Sequence, residues 1–405
     1  MVKSASEIVF KRDLRKALLK AARGYPVVTV TGPRQSGKTT LLRAAFPKRA
    51  YVSLEEPDHR AFALEDPRAF LAQFKGPLLI DEVQHAPQLL SYVQSIVDRR
   101  RQPGQFILSG SQNLLLLESV SQSLAGRASI LHLLPLSFSE IRGRAGAPLK
   151  TLGSKAVAAS RVVEADMLDL LWRGQYPRVH ASNVAAHDWL RNYYRTYVER
   201  DVRSIVNVGD WESFNRFVRL CAGRCGQLLN AVSLGNDCGV THTTVKRWLS
   251  ILEATFIVHL LRPYHRSFNK RMIKAPKLYF LDSGLLSYLL GVRSASELAS
   301  HASRGAIFES FVLAELLKNH WHQGIEPQIY FWRDTAGHEV DFIVENGSRP
   351  LAIEAKAGST VAADFYNGLK YWRQLAGQQS PAALIYAGQT QFVRQGIHTY
   401  PWTVL

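Results

Sequence analysis

The sequence predicts an α/β chain: a parallel sheet with helices on both faces, then a mostly helical region, then a second α/β unit. Three observations predict it. Between about residues 25 and 145, short apolar runs (PVVTVTG, RAYVSL, GPLLIDE, GQFILSGS) alternate with helical stretches, the rhythm of strands joined by crossover helices. From about 160 to 295 the period is helical, with many Trp, Tyr and Arg residues. From about 303 a helix, GAIFESFVLAELLKNH, precedes strands PQIYFWRD, HEVDFIVE and PLAIEAKA, another helix and a last strand, AALIYAG.

At 405 residues the chain exceeds one core of ordinary size, so domains at 1–150, 160–295 and 303–405 are expected, with a linker near 145–160. Hydrophobic residues at 46% and charged residues at 20% are globular usage. No apolar run approaches the ~18 residues of a membrane span, so no membrane association is expected. The first residues lack the apolar core of a secretory signal and read as a short basic amphipathic helix, which makes a cytoplasmic location the expectation. Three cysteines, Cys221, Cys225 and Cys238, are too few and too odd for a disulfide framework, and a structural role is expected over a metal one. Lys and Arg total 50 against 33 Asp and Glu, a net +17 that suggests a polyanion; DNA is the expected partner, with a generally basic proteome or an acidic protein partner as the alternatives.

The sharpest motif is the run Gly32, Pro33, Arg34, Gln35, Ser36, Gly37, Lys38, Thr39 and Thr40, which follows an apolar strand and opens a helix. Gly32 and Gly37 allow a tight path that turns backbone N–H groups toward phosphate oxygens. Lys38 adds a cation near the β and γ phosphates, Thr39 offers a hydroxyl to Mg²⁺, and the helix N-terminus faces the anion. This is a P-loop, and ATP with Mg²⁺ is the expected cofactor. About forty residues on, the strand of PLLIDEVQ ends in Asp81 and Glu82. In a P-loop enzyme the first helps hold Mg²⁺ and the second can deprotonate the attacking water. The strand of QFILSGSQN ends in Ser109 and Ser111, and Ser111 is the expected γ-phosphate sensor. Arg127, in a Gly-Arg pair beyond that strand, reads either as an arginine finger acting in a neighbouring subunit or as a surface arginine paired with a carboxylate. The first reading requires a homo-oligomer.

The runs GPRQSGKTTLL, LIDEVQ, ILSGSQN, LAGR and LPLSFSE resemble a family of prokaryotic AAA-type ATPases whose ATPase domain is followed by a C-terminal domain of unknown function. Segments YYRTYVERDV, PKLYFLDSGLL, FESFVLAEL and EVDFIVE resemble that second part, so the similarity spans nearly the whole chain. One departure is RGQYP at 173–177, where two glycines are expected before the aromatic residue.

Within the middle region, GQLLNAVSLGNDCGVTHTTVKRWLSILEATFIVHLLRPY has the cadence of a helix-turn-helix: one helix ends near Cys238-Gly239 and a second begins at Thr241 to Thr244, carrying Lys246, Arg247 and Trp248. FIVHLLRPYH and KAPKLYFLD read as two strands of a wing. A winged-helix-like unit serves DNA contact or acts as a lid and spacer, and both readings stand.

In the last region Glu309 falls on a helix, Asp341 on one strand, and Glu354 and Lys356 on the next, sharing a face two positions apart. Asp341 precedes Glu354 by thirteen positions, a hairpin's separation. This pattern resembles the PD-(D/E)xK nuclease superfamily, and with it a restriction-endonuclease-like fold. The resemblance implies that Asp341 and Glu354 bind Mg²⁺, that Lys356 steadies a hydroxide, and that Glu309 completes the site. The competing reading is a nuclease-like scaffold in which Glu354 and Lys356 are a plain ion pair. The sequence thus points to an ATPase coupled to DNA binding or processing. The alternative is an ATP-dependent switch that binds a protein partner through an inactive scaffold.

Overall fold

The computed structural model describes residues 10–111, 123–144, 151–153, 157, 164–198, 211–264, 273–345 and 349–405. Most of the expected linker at 145–160 lies outside them. In the first unit α1 (Arg15–Gly24) leads to β1 (Val27–Thr31), α2 (Lys38–Ala45), β2 (Ala50–Ser53), α3 (Pro57–Glu65), α4 (Pro67–Ala72), β3 (Leu78–Asp81), α5 (Leu89–Arg100), β4 (Phe106–Gly110), β5 (Ala128–His132) and α6 (Phe138–Ile141). All five strands are parallel, in the order β2-β3-β4-β1-β5. The strands VVTVT, LLID and FILSG are buried at every position, because helices cover both faces of the sheet. On one face Leu14, Leu18, Leu41 and Leu42 pack against Val28 and Val30. On the other, Val83, Leu90 and Val93 pack against Val27, Ile80 and Leu108. The connections after β1, β3 and β4 open at the same carboxyl edge, where parallel α/β sheets build their sites.

The middle unit comprises α7 (Glu164–Arg173), α8 (Pro177–Ala181), α9 (Ala186–Tyr193) with a following π-helical turn (Tyr194–Val198), α10 (Trp211–Gly223), α11 (Ala231–Cys238), α12 (His242–Ala254), β6 (Val258–Leu261), β7 (Lys277–Phe280), α13 (Ser283–Leu289) and α14 (Ala295–Ser300). The expected helix-turn-helix segment is α11 and α12. Asn230 caps the first through the Ser233 N–H, Gly239 closes it in the left-handed conformation, and Thr241 caps the second through the Thr244 N–H. Phe214 and Phe217 of α10 pack on Trp248 of α12. The expected wing strands are β6 and β7, an antiparallel pair.

The last unit begins with α15 (Arg304–His322), followed by β8 (Ile329–Arg333), β9 (Glu339–Val344), β10 (Leu351–Lys356), α16 (Asn367–Ala376), β11 (Ala382–Tyr386), β12 (Phe392–Arg394) and β13 (Ile397–Pro401). These strands form one mixed sheet, β12-β13-β11-β10-β9-β8. Helix α15 is buried on nearly all its faces because it touches α1 and β5 of the first unit, α7 and β7 of the middle unit, and β10. One apolar core runs through the middle and last units and takes in Leu134 and Phe138 of the first, while a second packs Leu369 and Trp372 of α16 against Ile343 and Leu384 of the last sheet. All three cysteines are free and buried, as a structural role requires; burial pushes the Cys225 thiol up to about 11. Among the described residues no helix is long and apolar enough to cross a membrane.

Candidate nucleotide site and acidic centre

The loop between β1 and α2 follows a glycine-dependent path. Gly32 sits at φ 150°, and a β-carbon there would lie 2.1 Å from the Leu133 carbonyl oxygen. Gly37, at φ 92°, is the N-cap of α2 in the left-handed region. Lys38 is 5% exposed, and its Nζ donates to the Gly32 and Pro33 carbonyl oxygens, each at 2.9 Å. Among the described residues the Ser36 hydroxyl is buried without a hydrogen-bond partner. A lysine held over the loop, an unsatisfied buried hydroxyl and a helix N-terminus fit a phosphate chain.

Asp81 gathers three hydroxyl donors from three elements. Thr39 Oγ1 donates at 2.6 Å and Tyr51 OH at 3.1 Å, both to Oδ2, while the Ser109 hydroxyl donates to Oδ1. Partial burial and then the Asp81 charge push the Tyr51 phenol up to about 12, so Tyr51 keeps its proton and stays a donor. The paired Thr39 hydroxyl and Asp81 carboxylate are hard oxygen ligands suited to Mg²⁺. Glu82 adopts φ 54°, a left-handed conformation unfavourable for a non-glycine residue and worth on the order of 1–3 kcal/mol. There its carboxylate accepts from Ser111 Oγ at 3.1 Å and from the Gln84 side-chain amide. Ser111 therefore orients Glu82. Bound ATP and Mg²⁺ would supply the electrophilic phosphorus and its charge neutralisation. The loop amides and Lys38 would face the phosphates, Thr39 and Asp81 would hold the ion, and Glu82 would be placed to accept a water proton.

A cavity of about 740 Å³ opens beside this loop, lined by Lys38, Thr39 and Glu82, by Arg12 and Arg15 ahead of the sheet, and by Arg178 of the middle unit. Its basic lining suits a polyphosphate. Arg12 was not legible as a site residue, yet it is 7% exposed and reaches into the loop. Its guanidinium donates to the Ser36 carbonyl at 2.6 Å, to the Leu134 carbonyl at 2.7 Å and to Glu140 Oε2 at 3.0 Å. Gln35 and Arg34 also meet the middle unit: the Gln35 amide donates to Tyr197 OH at 2.8 Å, and Arg34 lies 5.5 Å from the Tyr197 ring centre. Thr40 lines the same cavity and Pro33 supplies one of the carbonyls that hold Lys38. Arg127 stands apart, about a third exposed, and forms a two-pronged pair with Asp98 of its own chain at 2.5 and 3.0 Å.

The second expected constellation also assembles. On the hairpin of β9 and β10, Asp341 Oδ2 accepts from the Ala355 N–H at 2.9 Å and from Lys356 Nζ at 3.3 Å. Lys356 donates to Glu354 Oε2 at 2.7 Å. Burial and then the Asp341 charge push the Glu354 carboxyl far up; the Lys356 and Lys277 ammonium groups outweigh burial at Asp341 and hold it low. Glu354 therefore holds its proton far more tightly than Asp341, and Lys356 bridges the two carboxyls. Glu309 lies beside them on α15. Burial, then Asp341, raises its carboxyl to about 7.

Lys277 and Tyr279 of β7 complete this cluster, a contribution from the middle unit that no spacing in the sequence could show. Lys277 pairs with Glu309 at 3.4 Å and with Glu339, and Tyr279 donates to Glu309. Among the described residues the set of three metal-type ligands within 4.8 Å of one another is elsewhere: Asp13, Glu140 and His322. There the Glu140 oxygens already accept from Arg12, the Asp13 N–H and the Ser137 N–H, which makes it a charge junction between units. The departure at Gln175 has a structural consequence as well. Its buried side chain donates to Glu315 and accepts from Lys318, both at 2.7 Å, tying the middle unit to α15.

Three family models match in succession: an AAA domain over residues 24–142, the domain of unknown function DUF8612 over 164–296, and the domain of unknown function DUF4143 over 304–405. Two mycobacterial relatives, uncharacterized protein Rv2008c of Mycobacterium tuberculosis and uncharacterized protein Mb2031c of Mycobacterium bovis, are each 32% identical over 358 residues, covering 87% of this chain and 75% of the relative. Among solved structures, the Walker-type ATPase PABY2304 of Pyrococcus abyssi matches at 15% identity and a TM-score of 0.42, over 69% of this chain and 96% of that one. The chain belongs to the same family as the two mycobacterial proteins, and its first unit is an AAA domain, a nucleotide-binding and nucleotide-hydrolysing module.

Proposed function

We propose that this protein is a Mg²⁺-dependent ATPase that couples nucleotide hydrolysis to the binding or processing of DNA. The observation that carries the ATPase half is the meeting of Thr39, Asp81, Glu82 and Ser111 at the P-loop. The DNA half is supported by the convergence of Asp341, Glu354 and Lys356 with Glu309, a donor set suited to metal-assisted phosphodiester cleavage. It is supported further by the exposed, basic face of α12, where His242, Thr243, Lys246 and Arg247 point away from the core, as a recognition helix in a winged-helix unit would present them. The net charge of +17 favours a polyanion. Arg127 either stays a surface arginine paired with Asp98 or, in a homo-oligomer, serves a neighbouring subunit's site.

One observation favours a second reading. Asp341 and Glu354 are 7% and 5% exposed, and lysines neutralise the cluster from both sides, as befits an inactive scaffold in a switch that binds a protein. A cleavage assay separates the two, run on duplex, single-stranded and branched DNA with Mg²⁺ or Mn²⁺, with and without ATP. The first reading expects metal-dependent cleavage that Asp341→Ala abolishes and Lys38→Ala uncouples from ATP. Cleavage unchanged in Asp341→Ala overturns the assignment of the centre, and no cleavage under any metal leaves the switch.

A further inference from the structure

The acidic centre is divided into two halves, each with its own ammonium group. Asp341 and Glu354 share Lys356, at 3.3 and 2.7 Å. Glu309 and Glu339 share Lys277. Lys277 is unusual on three counts. It is 3% exposed, it comes from a different unit, and it is fixed at both ends. Its backbone pairs with Leu261 in the hairpin and bridges Leu228, while its Nζ lies between Glu309 and the Tyr279 hydroxyl, 3.4 Å from each. Its ammonium also sits 5.7 Å from the Phe331 ring centre, so aromatic faces enclose the charge. A buried ammonium needs close partners to offset its lost hydration, and here the carboxylates of Glu309 and Glu339 do so.

We infer that Lys277 is a built-in cation that fills the Glu309 side of the acidic centre and limits the centre to one divalent ion, held by Asp341 and Glu354. The inference rests on the proposed reading of those two carboxylates as an ion site. Two-ion phosphodiester centres place their metals about 3.5–4 Å apart between shared carboxylates. On this reading Asp341, which meets Lys356 at 3.3 Å, is the carboxylate two ions would share, and Glu309, which meets Lys277 at 3.4 Å, is the ligand a second ion would need. The Lys277 ammonium supplies one positive charge at that position without exchanging with solvent. Glu309 is thereby a partner of Lys277, and the β6–β7 hairpin that carries Lys277 sets how many metals the last unit takes. The last unit alone lacks this group.

Mn²⁺ binding to the full chain without nucleotide, counted by equilibrium dialysis with electron paramagnetic resonance, tests this. The wild type is expected to hold one ion that Asp341→Asn removes. Lys277→Met, which keeps the apolar stem against Phe331, is expected to hold two, and Lys277→Arg one. Lys277→Gln provides the same comparison should the Met variant not fold, as judged by circular dichroism. A folded Lys277→Met or Lys277→Gln chain that holds no more ions than the wild type overturns the inference. A wild type with no ion sensitive to Asp341→Asn instead sinks the ion-site reading itself, and the role of Lys277 falls with it.

Discussion

Gln35, in the variable part of the P-loop, donates a 2.8 Å hydrogen bond to the hydroxyl of Tyr197, in the π-helical turn of the middle unit. Gln35 has φ 62°, so the contact holds a left-handed residue in place within the phosphate loop. π-Helical turns of this kind recur at functional sites. From Tyr197 an aromatic column continues inward through Tyr193, Trp189 and Tyr176. The middle unit is thereby attached to the loop that holds nucleotide. Tyr197→Phe keeps the ring under Arg34 and removes the hydroxyl. A neutral hydrogen bond of about 1 kcal/mol corresponds to roughly a fivefold loss of ATP affinity. A fluorescent ATP analogue measures it. Gln35→Ala should cost the same, and the double variant no more than either; additive losses would show that the two side chains act separately.

Glu82 is the expected proton acceptor, and Ser111 positions it. Glu82→Gln should leave ATP binding intact while turnover falls about 100- to 10,000-fold, the range of a general base. Ser111→Ala should reduce turnover less, because the Gln84 amide still holds the carboxylate. Lys38→Ala should lose binding itself. Phosphate release and equilibrium binding, measured side by side, distinguish these outcomes, and a Glu82→Gln chain with full turnover removes Glu82 from the reaction.

Arg12 and Glu140 form a buried pair whose loss leaves a charge without compensation. Burial alone would raise the Glu140 carboxyl, yet Arg12 first, with His322 and two backbone N–H groups, holds it low. Arg12→Ala should therefore destabilise the chain by about 3–5 kcal/mol, the range for one-sided removal of a buried ion pair. It should also weaken ATP binding, since Arg12 braces the Ser36 carbonyl inside the loop. Urea unfolding monitored by circular dichroism gives the first quantity. A loss below ~1 kcal/mol would mean that water replaces the guanidinium.

His322 gives the chain a defined acid sensitivity. Burial lowers its imidazole to about 4 from an ordinary 6.5. In that window the unfolded chain binds a proton that the folded chain does not, so stability is complete above pH 6.5 and falls as pH drops toward 4. His322→Asn, which cannot titrate, should flatten part of this slope, by on the order of 1–3 kcal/mol between the two limits. Melting temperatures of both chains across that range provide the check, and parallel curves would assign the slope to other groups.

Local chemistry made much of the molecule legible from sequence. The glycines of the P-loop, the carboxylate-ended strand of Asp81 and the period-two placement of Glu354 and Lys356 each encode a backbone path within a few residues. The caps of α11 and α12, Asn230, Gly239 and Thr241, do the same. What the tertiary structure decided is which distant groups complete these local arrangements. Arg12 braces the phosphate loop from 24 positions away, Tyr197 touches Gln35 across 162, and Lys277 meets Glu309 across 32. A departure such as Gln175 reads as a loop substitution until α15 is packed against it with Glu315 and Lys318. Sequence patterns record what a residue does to its own turn or strand. The pairing of a buried charge depends on which surfaces the folded core presses together, and α15, in contact with all three units, is where that is decided.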